Sequence, residues 1–287
     1  MKILHLSDLH IGGRDKLLED ANSDDSPCTR RCEVIFDNII ANCKPPSDYI
    51  IVITGDVTEG GSAFFSEGIQ HQYEEAERLI GLLRSAGFVV LPVPGNHDYG
   101  CMGTHPQKKY GKIFREKLLF NRKGTFPILG RADASGLIND VAFIGLDSME
   151  AAIDRDYYLG AQGKIGDKQL ERLSKILDSE KVKNASARVV YLHHHPFNPQ
   201  RNMELHDADS FKQVLSGRNV DILLFGHNHY GWKWNGWWDI ARCYDAGTST
   251  RKEGKAGFHR IMEPGGNTSM DYDGDFFGNL KRFEEIG

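Results

Sequence analysis

Side chains able to hold a metal ion or move a proton fall in five short clusters along this sequence. Asp8 and His10 form the first and Asp56 the second. Asn96, His97 and Asp98 form the third, His193, His194 and His195 the fourth, and His227 and His229 the fifth. The pairs Asp8-x-His10 and His227-x-His229 have i, i+2 spacing, which in extended chain puts both side chains on one face. A single histidine is more often a satisfied core or surface residue than a ligand. That explanation weakens when five separate turns each carry carboxylate, imidazole or carboxamide groups. A mixture of Asp oxygen, Asn oxygen and His nitrogen suits borderline ions such as manganese, iron or zinc. Calcium and magnesium sites built from oxygen alone do not recruit so many imidazoles. No cysteine belongs to the clusters, so a thiolate zinc site is excluded.

Each cluster follows an apolar run of strand length, and these runs must position it. The runs are 3–6, 49–54, 88–93, 189–192 and 220–225, and a sixth, 141–146, ends at Asp147-Ser148. Near-continuous β-branched runs suit strands buried on both faces. Helical spacing recurs between them: over 31–42 (Val34, Ile35, Ile39), over 72–85 (Ala76, Leu79, Ile80, Leu83), over 166–177 with Asp167 as N-cap, and over 209–215. Strands alternating with helices define an α/β protein. In open α/β sheets ligands gather at the carboxyl ends of strands, where the clusters fall.

Other segments are less informative. Residues 12–29 read as a polar surface loop. The 99–136 segment reads as a helical insertion carrying a basic amphipathic helix over 106–119, a solvated face rather than a substrate cap. From 247 the chain reads as a short β-rich part with strands at 257–262 and 269–277. Trp232, Trp234, Trp237 and Trp238 read as packing aromatics rather than a stacking platform. The 287 residues, 40% hydrophobic and 26% charged, suit one domain over 1–287. A net charge of −5 offers no general basic face and counts against nucleic acid as a partner. Five cysteines form no disulfide framework, and Cys28 and Cys32 read as reduced thiols on a loop or helix start. No apolar run reaches membrane-spanning length. The amino terminus reads as a strand rather than a signal segment, so a cytoplasmic location is expected. The residues are silent on oligomeric state.

The ordered blocks resemble the calcineurin-like metallophosphoesterase superfamily. They are Asp8-Leu9-His10, Gly55-Asp56-Val57-Thr58-Glu59, Gly95-Asn96-His97-Asp98, His193-His194-His195-Pro196 and Gly226-His227-Asn228-His229. The resemblance implies a four-layer α-β-β-α sandwich with a dimetal site at the carboxyl ends of the strands. It implies that Asp8, His10, Asp56 and His229 hold one ion. Asp56, Asn96, His194 and His227 hold the other, with Asp56 bridging. His194 is chosen because the family ligand usually sits two residues before the proline, with His193 as runner-up; His195 is assigned to packing or the site wall. The triple His-Pro and Glu204-Leu205-His206-Asp207 further resemble the cyclic-nucleotide phosphodiesterase branch.

The implied chemistry is hydrolysis of a small-molecule phosphate ester, a diester or monoester of nucleotide type, by a hydroxide held between two ions of manganese, iron or zinc. His97 is expected to protonate the leaving oxygen, with Asp98 fixing its tautomer; a plain turn role is the alternative for Asp98. The competing readings are a nuclease of the same superfamily and a non-catalytic metal-binding scaffold.

Overall fold

The apolar runs become strands of two six-stranded sheets in a computed structural model of the chain. The structure describes residues 1–13, 27–60, 68–100, 107–118, 128–129, 138, 140–153, 161–198, 200–234, 236–250, 258–262, 269–274 and 280–282. In the first sheet β1 (Lys2–Leu6), β2 (Tyr49–Thr54) and β3 (Val89–Val93) run parallel. On the far side of β1 lie β10 (Phe258–Met262), β11 (Ser269–Gly274) and β12 (Leu280–Arg282), all antiparallel. The order is β12-β11-β10-β1-β2-β3.

The second sheet contains β4 (Ile128–Leu129), β5 (Val141–Gly145), β6 (Ala187–Tyr191), β7 (Ile222–Phe225), β8 (Trp232–Trp234) and β9 (Arg242–Asp245). Its order is β4-β5-β6-β7-β9-β8, with β5, β6, β7 and β9 parallel and the two outer strands antiparallel. The register levels the strand ends. Leu6 lies opposite Ile53, Thr54 opposite Val93, and Tyr191 opposite Leu224. The turns that follow these strands therefore leave each sheet along one edge.

Six helices accompany the sheets among the described residues: α1 (Pro27–Asn42), α2 (Ile69–Ser85), α3 (Lys108–Lys117), α4 (Asp167–Leu177), α5 (Glu180–Lys183) and α6 (Ala208–Leu215). Side-chain parity divides the core. Val141, Phe143, Val189, Tyr191, Ile222 and Leu224 pack in one cluster with β1, β2, β3, α1 and α2. Ala142, Ile144, Val190, Leu223 and Phe225 pack in the other with α4 and α6. Alternate residues of the second sheet thus bury toward the first sheet or toward helices, as a helix–sheet–sheet–helix stack requires. Burial on both faces explains why these runs lack the polar alternation of a half-exposed strand.

The elements match the expected periodicities with informative exceptions. The first helix begins at Pro27 rather than near residue 31; proline suits a first turn because its fixed φ is helical and no N–H is needed there. Cys28 and Cys32, one turn apart on it, are buried thiols outside any disulfide. Asp167 is the first helical residue, not the cap. Gly166 precedes it at φ 86°, without a side-chain capping bond. Within the expected insertion α3 is described, and its Phe114 packs edge-on against Tyr73 of α2 at 6.5 Å. The rest of 99–136 apart from 99–100, 107–118 and 128–129, most of the expected loop, and residues 275–277 of the last expected strand lie outside the described residues. Among the aromatics, Trp234 packs on His195 and Phe225, and Trp238 on Phe197 and Phe211. The Trp232 side chain lies outside the described set. No described helix is long and apolar enough to cross a membrane.

Candidate metal centre

Turns at the carboxyl ends of β1, β2, β3, β6 and β7 bring their polar side chains together. Among the described residues three groups of possible ligands form, each with its donor atoms within 4.8 Å of one another: Asp8, His10 and His229; His10, Asp56 and His97; and Asp56, His193 and His227. The middle group shares His10 with the first and Asp56 with the last, so the three make one continuous array.

Donor spacing within the array suits an ion at each end. Two donors about 2.1 Å from one first-row ion stand roughly 3.0 Å apart in octahedral and roughly 3.4 Å apart in tetrahedral coordination. At one end His229 Nε2 lies 3.2 Å from Asp8 Oδ1 and 3.2 Å from His10 Nε2, with His10 Nε2 to Asp8 Oδ1 wider at 3.9 Å. At the other end His193 Nε2 lies 3.0 Å from Asn96 Oδ1, 3.1 Å from His227 Nδ1 and 3.3 Å from Asp56 Oδ2. Nearly all of these side chains are buried, leaving narrow access: His97 and His229 retain 13% and 20% side-chain exposure.

Backbone strain is concentrated in the same turns. Nine non-glycine residues among those described have positive φ, and five of them are Asp8 (53°), His10 (48°), Asp56 (48°), His227 (79°) and His229 (60°). Each such residue costs on the order of 1 kcal/mol or more unless its surroundings hold it. Two glycines make the close approach possible. Gly55, at φ 89°, leaves room for the His193 ring, and a Cβ at Gly226 would collide with Ser7 Oγ and Asp8 Oδ2.

Three of the histidines meet a fixed partner through their second nitrogen. His193 Nδ1 is 2.7 Å from the Thr54 carbonyl. A carbonyl only accepts, so Nδ1 carries a proton there and Nε2 is the nitrogen turned toward Asp56, Asn96 and His227. His10 Nδ1 faces the Glu59 carboxylate at 3.1 Å, leaving Nε2 for the array. His97 Nδ1 donates to the Glu59 carbonyl at 2.7 Å, and its Nε2 lies 3.8 Å from Asp56 Oδ2.

The fourth cluster differs from expectation. The structure brings His193, and not His194, to Asp56, Asn96 and His227. His194 contacts Ser148 Oγ through Nδ1 at 2.7 Å, its Nε2 is buried without a hydrogen-bond partner, and its ring lies tilted against His227 with centroids 4.5 Å apart. Counting two residues back from the proline misplaces the donor because β6 ends at Tyr191, and the first histidine after it turns toward the first sheet. His195 packs among aromatics, as read from the sequence.

Asp98 also departs from its expected role. It makes no contact with the His97 ring. Its carboxylate accepts from Val57 N–H (3.2 Å), Thr58 N–H (2.8 Å), Thr58 Oγ1 (3.0 Å) and Gly95 N–H (2.9 Å). Asp98 therefore ties the turn after β3 to the turn after β2. Glu59 takes over the orienting task assigned to it, with its carboxylate on His10 and its carbonyl on His97. The signal was present in the sequence, an acidic residue three positions after Asp56, but spacing alone does not reveal which histidine it meets.

Electrostatics favour positive charge at both ends. Burial alone would raise Asp8, yet the imidazoles of His229 and His193 hold it below the ordinary carboxylate range. Burial likewise opposes ionisation of Asp56, and His193 and His97 outweigh it, holding Asp56 well below that range. Asp56 in turn pushes His193 up to about 9 against its burial. Burial and the neighbouring His193 push His227 down to about 3, which keeps the ring neutral with one nitrogen free of a proton.

Comparison with known proteins bears on the fold and the family. No curated protein sequence matches significantly. Among solved structures, a dimetal phosphatase from Danio rerio superposes with TM-score 0.60 at 12% identity, covering 94% of this chain and 95% of that one. The purple acid phosphatase PPD1 from yellow lupin (Lupinus luteus) gives 0.59 at 11% identity, covering 98% of this chain and 52% of that one. GAP50, the anchor in the inner membrane complex of Plasmodium, gives 0.60 at 12% identity, covering 100% and 89%. At such identities these likenesses speak for the fold. The family model of calcineurin-like phosphoesterases matches residues 1–231. That span takes in all five ligand clusters, and the chain belongs to the calcineurin-like phosphoesterase family of metal-dependent phosphoester hydrolases.

Proposed function

We propose that this chain hydrolyses a small-molecule phosphate ester, a diester or monoester of nucleotide type, at a centre holding two ions of manganese, iron or zinc. The observation that carries the reading is the donor spacing at the two ends of the array, 3.0–3.3 Å from His229 to Asp8 and His10 and from His193 to Asn96, His227 and Asp56. Asp8, His10, Asp56 and His229 would hold one ion, and Asp56, Asn96, His193 and His227 the other. Asp56 would serve both because it is the carboxylate that shares one ligand group with His10 and another with His193 and His227, and two nearby dications need shared negative charge. When bound, the ions would polarise the phosphoryl group and acidify the attacking water.

The chain's own residues supply orientation and a proton. His97 Nδ1 is engaged with the Glu59 carbonyl, so Nε2 is the nitrogen left to donate. In its doubly protonated form, His97 delivers that proton to the leaving oxygen. Backbone also fixes His97: its N–H donates to Asp56 Oδ1 at 2.9 Å, coupling the position of the acid to that of the shared carboxylate. Burial of Asp8, Asp56 and His193 excludes water from the rear of the site and strengthens each of these interactions.

The test is a manganese-supplemented panel of chromogenic phosphodiester and phosphomonoester, cyclic nucleotides, nucleoside diphosphate conjugates and single-stranded DNA. Turnover of small esters is expected. The His97→Ala variant should retain its metal and lose about 10²–10⁴-fold in kcat. Cleavage of DNA in preference to every small ester would overturn the substrate class, and full activity of the His97 variant would overturn the acid assignment.

A further inference from the structure

The turn bearing Asp8 and His10 is gripped on two sides. Its N–H groups point to the turn after β2: Asp8 N–H donates to Gly55 O (3.0 Å), His10 N–H to Asp56 O (2.9 Å) and Ile11 N–H to Val57 O (2.9 Å). Its carbonyls point the other way, to the segment after β9. Ser7 O accepts from Ser249 N–H (3.0 Å), Asp8 O from the Thr248 hydroxyl (3.0 Å) and Leu9 O from the Thr250 hydroxyl (2.5 Å). Ser7 N–H returns a bond to Ser249 Oγ at 3.3 Å. Three consecutive residues thus satisfy three consecutive carbonyls.

These bonds answer a specific need. Asp8 and His10 adopt left-handed backbone, which ends the β1 ladder and leaves the Asp8 and Leu9 carbonyls without strand partners. Thr248, Ser249 and Thr250 are at most 2% exposed, so water cannot readily replace their hydroxyls, and a buried carbonyl left without a donor is costly. The segment leaves β9, which lies beside β7 in the second sheet. The turn it grips leaves β1 in the first. The clasp therefore joins the sheet that carries Asp8 and His10 to the sheet that carries His229.

We propose that Thr248 and Thr250 are positioning residues for the metal site of Asp8, His10 and His229, holding the left-handed turn in the conformation that presents its donors to the ion. The proposal rests on the two-ion reading above. Both threonines lie outside residues 1–231 matched by the family model, and neither touches the reacting atoms.

The test is calorimetric titration of the full chain, stripped of metal, with manganese alone. It compares wild type, Thr248→Val, Thr250→Val and the matching serine variants, with melting temperature recorded for each metal-free protein. Wild type is expected to take two equivalents. Each valine variant should bind one of them about 10-fold or more weakly while keeping the other, and serine should restore the affinity. Valine variants that bind both ions as wild type does would overturn the proposal, whether or not their melting temperature falls. Loss of the folded state in both valine variants would also overturn it, assigning the hydroxyls to stability alone. Wild type that binds no manganese would refute the two-ion reading itself, whereas two ions bound equally by wild type and variants would refute only the clasp.

Discussion

Replacing Asp147 by asparagine should change how stability depends on pH, by an amount the structure allows to be worked out. Asp147 follows β5 and is fully buried. Tyr99, just after the Asn96–His97 turn, donates its hydroxyl to Oδ2 at 2.6 Å. Met149 N–H and Glu150 N–H donate to Oδ1 at 2.9 and 3.0 Å, and Arg115 of α3 stands 3.8 Å from Oδ2. Burial pushes Asp147 up to about 6 from an ordinary 3.8, against the bonds from Tyr99 and Met149. The native state then holds this proton more tightly than the unfolded chain does. That contribution to stability is complete below the unfolded value and is lost as pH rises through about 6. The full span is about 3 kcal/mol at about 1.4 kcal/mol per pH unit, of which about 2 kcal/mol falls between about pH 4.5 and 7.5. Asparagine keeps an oxygen for the two N–H donors and offers its amide to the Tyr99 oxygen, without titrating. Urea unfolding at about pH 4.5, 6 and 7.5 should therefore show the variant gaining about 2 kcal/mol on wild type across the range. Parallel stability profiles would refute the reasoning, as would a variant that loses ground with rising pH.

Two further substitutions separate roles that the sequence alone leaves merged. Asp98→Asn places an amide against four donors, so we expect about 2–4 kcal/mol of lost stability in urea unfolding; unchanged stability with a shifted pH–rate profile would instead make Asp98 the partner of His97. Glu59→Gln removes the charge facing His10 while leaving the backbone carbonyl that holds His97. Metal titration should show about 10–100-fold weaker binding of one ion, and unaltered affinity for both would remove Glu59 from the ion's support.

Much of the fold was legible because the strands of both sheets are buried on two faces, so apolar runs such as 49–54 and 141–146 carry no competing polar periodicity. The strand β9 was missed for the opposite reason: Arg242–Asp245 is four residues long, begins with arginine and ends with aspartate. The start of α1 was missed because Pro27, Cys28 and Thr29 close a polar run that reads as loop, whereas the first turns of the helix are held in place by Arg31, whose guanidinium donates to the Thr250 carbonyl. Residue types announced the metal centre; orientation did not. Which of His193 and His194 faces Asp56 depends on where β6 stops, and whether Asp98 meets a ring or a backbone depends on a turn more than 35 residues away in sequence. The Thr248–Thr250 clasp carries no signal of its own, since Thr and Ser at a strand end are commonplace, and its meaning arises only from the carbonyls it meets.

Metal stoichiometry of the His193→Ala and His194→Ala variants tests the central assignment most directly. Wild type loaded with manganese or zinc and freed of excess should carry two equivalents by elemental analysis. His193→Ala should retain one, having lost the nitrogen that stands among Asp56, Asn96 and His227, and His194→Ala should retain two. Two equivalents in His193→Ala, with one in His194→Ala, would contradict the account.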